Sequence, residues 1–292
     1  MNVEFSFEKL ARELEKSPDH RVLRRISKRK FFNEGSSTNL RRGVVIDVET
    51  TGLELGLECI IELGMIVFEY SADGRIFQIV EEFGEFENPG KPIPSEITQL
   101  TGITDEHVKG KIISDKKVEE IVKDSVLVIA HNAAFDRPFV ERRFPVFKDK
   151  YWACSQTQIP WKREGITGLK LEYLATFFGC FYEAHRASDD CWAVLHILSQ
   201  ILPKSGEIAL KVLLKTARES SYCIEATGAP FDAKDILKGR SYRWDGAAKV
   251  WTKEIYEIDL EAEERFLANE VYKGKGIHSK KILNAMTRFS KR

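Results

Sequence analysis

Asp47-Val48-Glu49 places two acids one position apart at the end of the apolar run Val44-Val45-Ile46. In a strand, side chains alternate with period two, so Asp47 and Glu49 share one face and bring two carboxylates together beside a buried segment. Such a pair calls for a cation. Taken alone, the pattern also describes an ordinary strand end with two solvated acids. Two further segments carry matching chemistry. Val126 to Ala130 reads as a buried strand running into His131-Asn132-Ala133-Ala134-Phe135-Asp136. Pro138 sets the start of the next helix close to Asp136, because proline is tolerated in a first turn. In His185-Arg186-Ala187-Ser188-Asp189-Asp190, Ser188 is the expected N-cap of an amphipathic helix over Cys191 to Leu202. Asp190 then falls in the first turn and His185 on the preceding loop. Asp189, its neighbour, points elsewhere on a helix and is not expected at the site.

These residues need a scaffold. Ile60 to Tyr70 and Arg75 to Phe86 are apolar stretches joined around Asp73-Gly74, a hairpin signal, and with Val44 to Val48 they make a three-strand start. Ser95 to Leu100 and Ser114 to Lys123 read as helices, followed by the Val126 strand and a short strand over Trp152 to Ser155. A helix over Thr167 to Phe178 ends at Gly179, and another over Asp190 to Ile201 closes the domain before Pro203. The expected fold class is α/β, a mixed five-stranded sheet flanked by helices.

The three motifs in this order resemble those of the DEDDh (DnaQ-like) 3′→5′ exonucleases, the family of bacterial DNA polymerase III epsilon (proofreading) subunits. The resemblance covers roughly residues 40 to 203 and matches all five functional positions. It implies a ribonuclease-H-like sheet, and a catalytic set of Asp47, Glu49, Asp136, His185 and Asp190. It also implies two Mg²⁺ or Mn²⁺ ions, hard cations suited to carboxylates without thiolates. By the same resemblance, Asp47 bridges both ions, Glu49 and Asp190 hold the ion on the nucleophile's side, and Asp136 holds the other. His185 is the general base, since an unperturbed imidazole titrates near 6.5 and suits proton removal from water near neutral pH. Thr50, Thr51 and Gly52 lie where the family's backbone approaches the terminal nucleotide, and Leu53 where an apolar residue packs on the 3′-terminal base. Phe135 either stacks near the terminal sugar or belongs to the core. His131 and Asn132 read as turn and cap residues, and Pro94 to Thr104 as a structural segment. The implied activity is hydrolysis of phosphodiester bonds in DNA, at single-stranded or frayed 3′ ends, releasing nucleoside 5′-monophosphates. An exoribonuclease with the same catalytic set stays open, since that distinction lies in how the pocket treats a 2′-hydroxyl. So does a non-catalytic nucleic-acid-binding adaptor, against which five intact catalytic positions stand. A ribonuclease-H-type endonuclease shares the carboxylates, but His185 five residues before Asp190 fits the exonuclease better.

At 292 residues, two domains are expected, with 43% hydrophobic content ample for a core. The division is a basic N-terminal helical segment (1–39), the exonuclease domain (40–203) and a small α+β C-terminal module with a basic tail (204–292). No long apolar segment and no signal pattern at Met1 are present, which predicts a soluble, cytoplasmic protein without membrane contact. Cys180, His185 and Cys191 offer three soft ligands without a fourth, so free thiols are expected rather than zinc. The formal charge is zero, yet Arg21 to Lys30 holds six basic residues and no acid, and Val271 to Arg292 seven and no acid. Each end is either a phosphate-backbone contact or a solvated tail. In the C-terminal module, Ser220 to Ala226 reads as a strand, Asp232 to Lys238 and Glu261 to Tyr272 as helices, and Tyr242 to Thr252 as a hairpin around Asp245-Gly246. Tyr242, Trp244 and Trp251 interleave with Arg240, Arg243 and Lys253, the composition either of a stacking surface for single strands or of the module's core. Its role is substrate guidance, self-association or docking of a protein partner.

Overall fold

The computed structural model describes residues 6–34, 39–246, 248–274 and 278–291. Helix α1 (Phe7–Leu14) and a short strand β1 (Arg24–Arg25) precede three long strands, β2 (Arg41–Thr50), β3 (Ile60–Tyr70) and β4 (Ile76–Phe86). The turn between the last two is made by Asp73-Gly74, with Gly74 at φ +87°. Helices α2 (Ser95–Thr101), α3 (Asp105–Val108) and α4 (Asp115–Val122) lead to β5 (Ser125–Ala130), α5 (Ala133–Arg143) and β6 (Tyr151–Cys154). Helix α6 (Leu171–Phe177), strand β7 (Cys180–Phe181) and helix α7 (Ala187–Leu198) follow. The main sheet has the order β4-β3-β2-β5-β6, antiparallel across β2 to β4 and parallel from β2 to β6. This is the ribonuclease-H-like mixed sheet that the strand pattern predicts.

The chain forms two compact units, Met1–Leu214 with Phe289–Arg292, and Lys215–Arg288. In the first, Val44, Ile46, Val48, Leu63, Met65 and Trp152 pack with Phe139 and Val140 of α5 on one face of the sheet. The second follows α8 (Ala209–Arg218) with β8 (Ser221–Ala226), α9 (Lys234–Gly239), β9 (Arg243–Asp245), β10 (Val250–Tyr256), α10 (Glu257–Phe266) and β11 (Ser279–Leu283). Its antiparallel sheet has the order β11-β8-β10-β9 over a core that includes Ile224, Leu237, Tyr242, Ile255 and Leu267. Among the described residues, no helix is long and apolar enough to cross a membrane. All five cysteines are free thiols.

Several local expectations need correction. Pro138 lies in the second turn of α5, since the helix already starts at Ala133; the carbonyl it cannot serve belongs to exposed Ala134. Ser188 is not the cap of α7. Arg186 is the N-cap, with no side-chain capping bond, and Ser188 Oγ instead donates to Glu82 at 2.8 Å. Helix α10 begins at Glu257, earlier than Glu261, and passes into a π-helical turn over Leu267–Val271.

Several basic residues of the two ends are engaged within the units. Arg24 pairs with Glu15 (2.6 Å) and Glu8 (3.0 Å), Arg25 with Glu183 (3.0 Å), and Lys28 with Glu82 (3.0 Å) and Asp189 (3.2 Å). Towards the other end, Lys280 pairs with Glu264, Lys281 with Glu225 and Arg288 with Glu254. Residues 24 to 32 form a strap in which β1 pairs with β7, and Phe31 lies opposite Gln78, so the free edge of β4 is covered.

Candidate active site

Because Val44, Ile46 and Val48 face the core under α5, the intervening Val45, Asp47 and Glu49 take the opposite face, against which α7 packs. Cys191 Sγ of α7 lies 3.7 Å from the Val45 carbonyl oxygen. Opposite Asp47 in the β2–β3 register stands Gly64, and opposite Gly64 in β4 stands Gly84. These glycines make a floor without side chains. A Cβ at Gly64 would fall 2.4 Å from the Ala187 carbonyl carbon, so only glycine lets the start of α7 come this close to β3. The approach brings Asp190 to Asp47.

One carboxylate oxygen each from Asp47, Glu49 and Asp190 lies within 4.8 Å of the others. Asp136, Phe135 and His185 share the same cavity, of about 170 Å³, with His131, Asn132 and Leu171. Asp136 reaches it from α5, where its Oδ1 accepts the Val48 N–H at 3.3 Å. Asp190 is fixed twice, by the Tyr182 hydroxyl at 2.9 Å and the Arg186 N–H at 3.1 Å. His185 is held at φ +66°, a left-handed conformation uncommon for a residue with a Cβ.

Among the described residues no lysine or arginine lines this cavity, and its acids are raised. Burial, reinforced by Asp136 and Asp190, holds Asp47 well above the usual carboxylate range. Burial, with Asp190 and Glu62, pushes Glu49 up to about 8. Asp136 is raised to about 7, chiefly by burial, and Asp190 to about 6, also by burial and against the Tyr182 hydrogen bond. Raised, crowded carboxylates favour a nearby cation, and an all-oxygen donor set suits a hard divalent one.

Of the residues expected around the substrate, Phe135 lines the cavity while packing against the core and lying 5.1 Å from the Phe139 ring. Thr50, the last residue of β2, and Thr51, Gly52 and Leu53, in the loop that follows, do not line it. The Thr50 hydroxyl donates to the Gly52 carbonyl at 2.6 Å, and the Thr51 hydroxyl donates to Glu58. A Cβ at Gly52 would lie 3.0 Å from Glu58 Cγ, a tight contact with a flexible side chain, and Gly52 is not among the glycines at positive φ. Leu53 is 83% exposed beside the site. His131 bridges Ser155 Oγ (2.9 Å) and the Leu169 carbonyl (2.8 Å), and burial lowers its pKa to about 4, so it is a neutral strut. Asn132 is the N-cap of α5, without a side-chain capping bond.

Two residues escaped the motif reading. Glu62, opposite Glu49 on β3, is 3% exposed. It accepts the Ala187 N–H at 3.1 Å and pairs with Arg186 at 3.0 Å, capping α7 from across the sheet. An acid inside the apolar run Ile60-Ile61-Glu62-Leu63 was the available signal. Tyr182, the partner of Asp190, had none.

Fold and site together define an α/β protein whose mixed five-stranded sheet carries a cluster of carboxylates at the end of its central strand. The exonuclease family model (RNase_T) matches residues 44–198, just over half the chain, and the chain belongs to that family. The chain is 36% identical over 171 residues to the PolC-type DNA polymerase III of Clostridium perfringens, covering 56% of this chain and 11% of that protein. To the PolC-type DNA polymerase III of Caldanaerobacter subterraneus subsp. tengcongensis it is 34% identical over 175 residues, covering 58% and 12%. It thus spans about a tenth of the length of these relatives. Among solved structures, exonuclease X in complex with 5′ overhanging duplex DNA is similar at 24% identity, over 60% of this chain and 99% of that one, with a TM-score of 0.45. E. coli exonuclease I in complex with a dA16 oligonucleotide is similar at 15% identity, over 64% and 48%, with a TM-score of 0.47.

Proposed function

We propose that the protein is a 3′→5′ exonuclease acting on DNA, at single-stranded or frayed 3′ ends, that releases nucleoside 5′-monophosphates with two Mg²⁺ or Mn²⁺ ions. The observation that carries this reading is the convergence of Asp47, Glu49 and Asp190 within 4.8 Å, with Asp136 and His185 in the same cavity. When bound, two such ions supply positive charge to the attacking and leaving oxygens of an in-line displacement. Asp47, Glu49, Asp136 and Asp190 hold them. The imidazole of His185, which lines the same cavity, takes the proton from the attacking water. Tyr182 and the Arg186 N–H keep Asp190 oriented, and the Val48 N–H does the same for Asp136. Exposed Leu53 packs on the terminal base, and the backbone of Thr50 to Gly52 borders the terminal nucleotide. Such contacts grip an end and read no base identity. DNA is favoured because the similar polymerases are DNA polymerases.

The test is incubation with 5′-labelled DNA and RNA, single- and double-stranded, with Mg²⁺ or with EDTA. A ladder shortening from the 3′ end, stronger on DNA and absent in EDTA, is the expected result. Asp47→Ala with Glu49→Ala should lower the rate at least a thousandfold. Unchanged degradation by that variant would overturn the site, and equal cleavage of RNA would overturn the substrate.

A further inference from the structure

The aromatic and basic residues of the second unit divide cleanly. Tyr242 is core, 3% exposed, and Arg240 and Lys253 both pair with buried Glu263, at 3.1 and 2.8 Å. None of these three is available to a ligand as a free cation or an open ring. A different set borders the surface, with Ala229 and Trp251 half-buried against the core and Phe231 and Trp244 exposed. Ala229, Phe231, Lys234, Lys238, Trp244 and Trp251 line a groove of about 420 Å³. Trp244 and Trp251 are a cross-strand pair of β9 and β10, with ring centroids 5.5 Å apart and planes at 61°. Phe231 is 79% exposed and Trp244 53%.

The charge in the groove has one sign. Both charged lining residues are lysines, and Lys234 Nζ stands 4.7 Å from the centre of the Phe231 ring. Asp232, Asp235 and Asp245, the acids nearest in sequence, are not among the lining residues. An apolar peptide would use the rings and leave the two ammonium groups without a counter-charge. A duplex would present phosphates and keep its bases stacked away from the rings. A single strand satisfies both, because each nucleotide offers a flat π-face and a phosphate.

We propose that this groove binds single-stranded nucleic acid, with a base stacked among Phe231, Trp244 and Trp251 and the adjoining phosphates met by Lys234 and Lys238. This inference rests on the nuclease reading for the presence of nucleic acid as the partner, and adds to it a second, non-catalytic contact on the strand.

The test uses the full chain in EDTA, with fluorescein-labelled (dT)12 and a 12-base-pair duplex as probes, read by anisotropy and by tryptophan emission. Phe231→Ala with Trp244→Ala should weaken (dT)12 binding about tenfold or more, with the duplex little affected. Lys234→Gln with Lys238→Gln should lower the salt dependence of (dT)12 binding by about one to two units of slope. Wild-type tryptophan emission should be quenched by (dT)12, and the quench reduced by Trp244→Phe. Melting temperature reports folding of each variant, and Trp244→Phe preserves an aromatic ring if Trp244→Ala does not fold. Equal (dT)12 affinity of folded aromatic variants and wild type would overturn the proposal. Loss of single-strand and duplex binding in equal measure would overturn it as well. Wild-type hydrolysis in Mg²⁺ is scored separately: degradation with an indifferent groove removes this inference alone, whereas groove binding without degradation removes the nuclease reading alone.

Discussion

His185 shows how a single residue can serve function against its own stability. At φ +66° a side chain with a Cβ strains the backbone by about 1 kcal/mol, and the strain lies at the position proposed to take the proton. Asparagine tolerates that conformation better than histidine does. His185→Asn should therefore lower turnover by about 10²- to 10⁴-fold while the melting temperature stays level or rises. Steady-state rates beside thermal melts check this; a parallel fall in both would make His185 a structural residue. Period two alone joined Asp47 and Glu49; Asp136, His185 and Asp190 were legible because the three motifs in order resemble those of a known family. Tyr182 was not. Its importance arises only once the loop before α7 folds its hydroxyl onto Asp190, eight positions away, and no local period encodes that contact. Glu62 was half legible, as an acid in an apolar run whose purpose depends on a helix more than 120 residues later.

At the scale of elements, the site depends on how closely α7 can lie on β3. The strand order and most helices follow from alternation, turn glycines and caps. The row Asp47–Gly64–Gly84 crosses three strands and exists only after pairing, so the sequence hides it. Gly64→Ala puts a methyl group 2.4 Å from the Ala187 carbonyl carbon, and α7 must move to admit it. Overpacking of this kind costs about 1–3 kcal/mol, and a shift near 1 Å at Asp190 costs about a hundredfold in rate. Gly84→Ala is the matched control, since its Cβ would meet Ser188 Cβ at 3.6 Å, an ordinary contact. The pair should separate in both melting temperature and exonuclease rate, with Gly64→Ala much the worse. Similar behaviour of the two would show that the close approach is not what seats Asp190.

For the whole molecule, the acid cluster couples stability to pH and to metal. Asp47, Glu49 and Asp136 keep protons in the metal-free fold that they release near pH 4 when unfolded. Between the unfolded and folded pKa values the native state binds more protons, so stability falls as pH rises through that range. Buried His131 works in the opposite direction. Its pKa is lowered to about 4, so below about 6.5 the unfolded chain gains a proton that the fold refuses, and stability falls as pH drops. The two effects overlap in acid and separate above pH 6.5, where His131 is neutral in both states. From pH 6.5 to 8 the carboxylates act without that opposition. Each proton by which the folded chain exceeds the unfolded one costs about 2 kcal/mol over this window, or roughly 4–8 °C. Thermal melts in EDTA should show that decline for the first unit, and saturating Mg²⁺ should remove most of it, because a bound cation replaces the retained protons. Asp47→Asn with Glu49→Gln should flatten the slope in EDTA and abolish the response to Mg²⁺. A flat wild-type profile in EDTA over this window would mean that the folded chain holds no more protons than the unfolded one, and that burial does not raise these acids above pH 6.5.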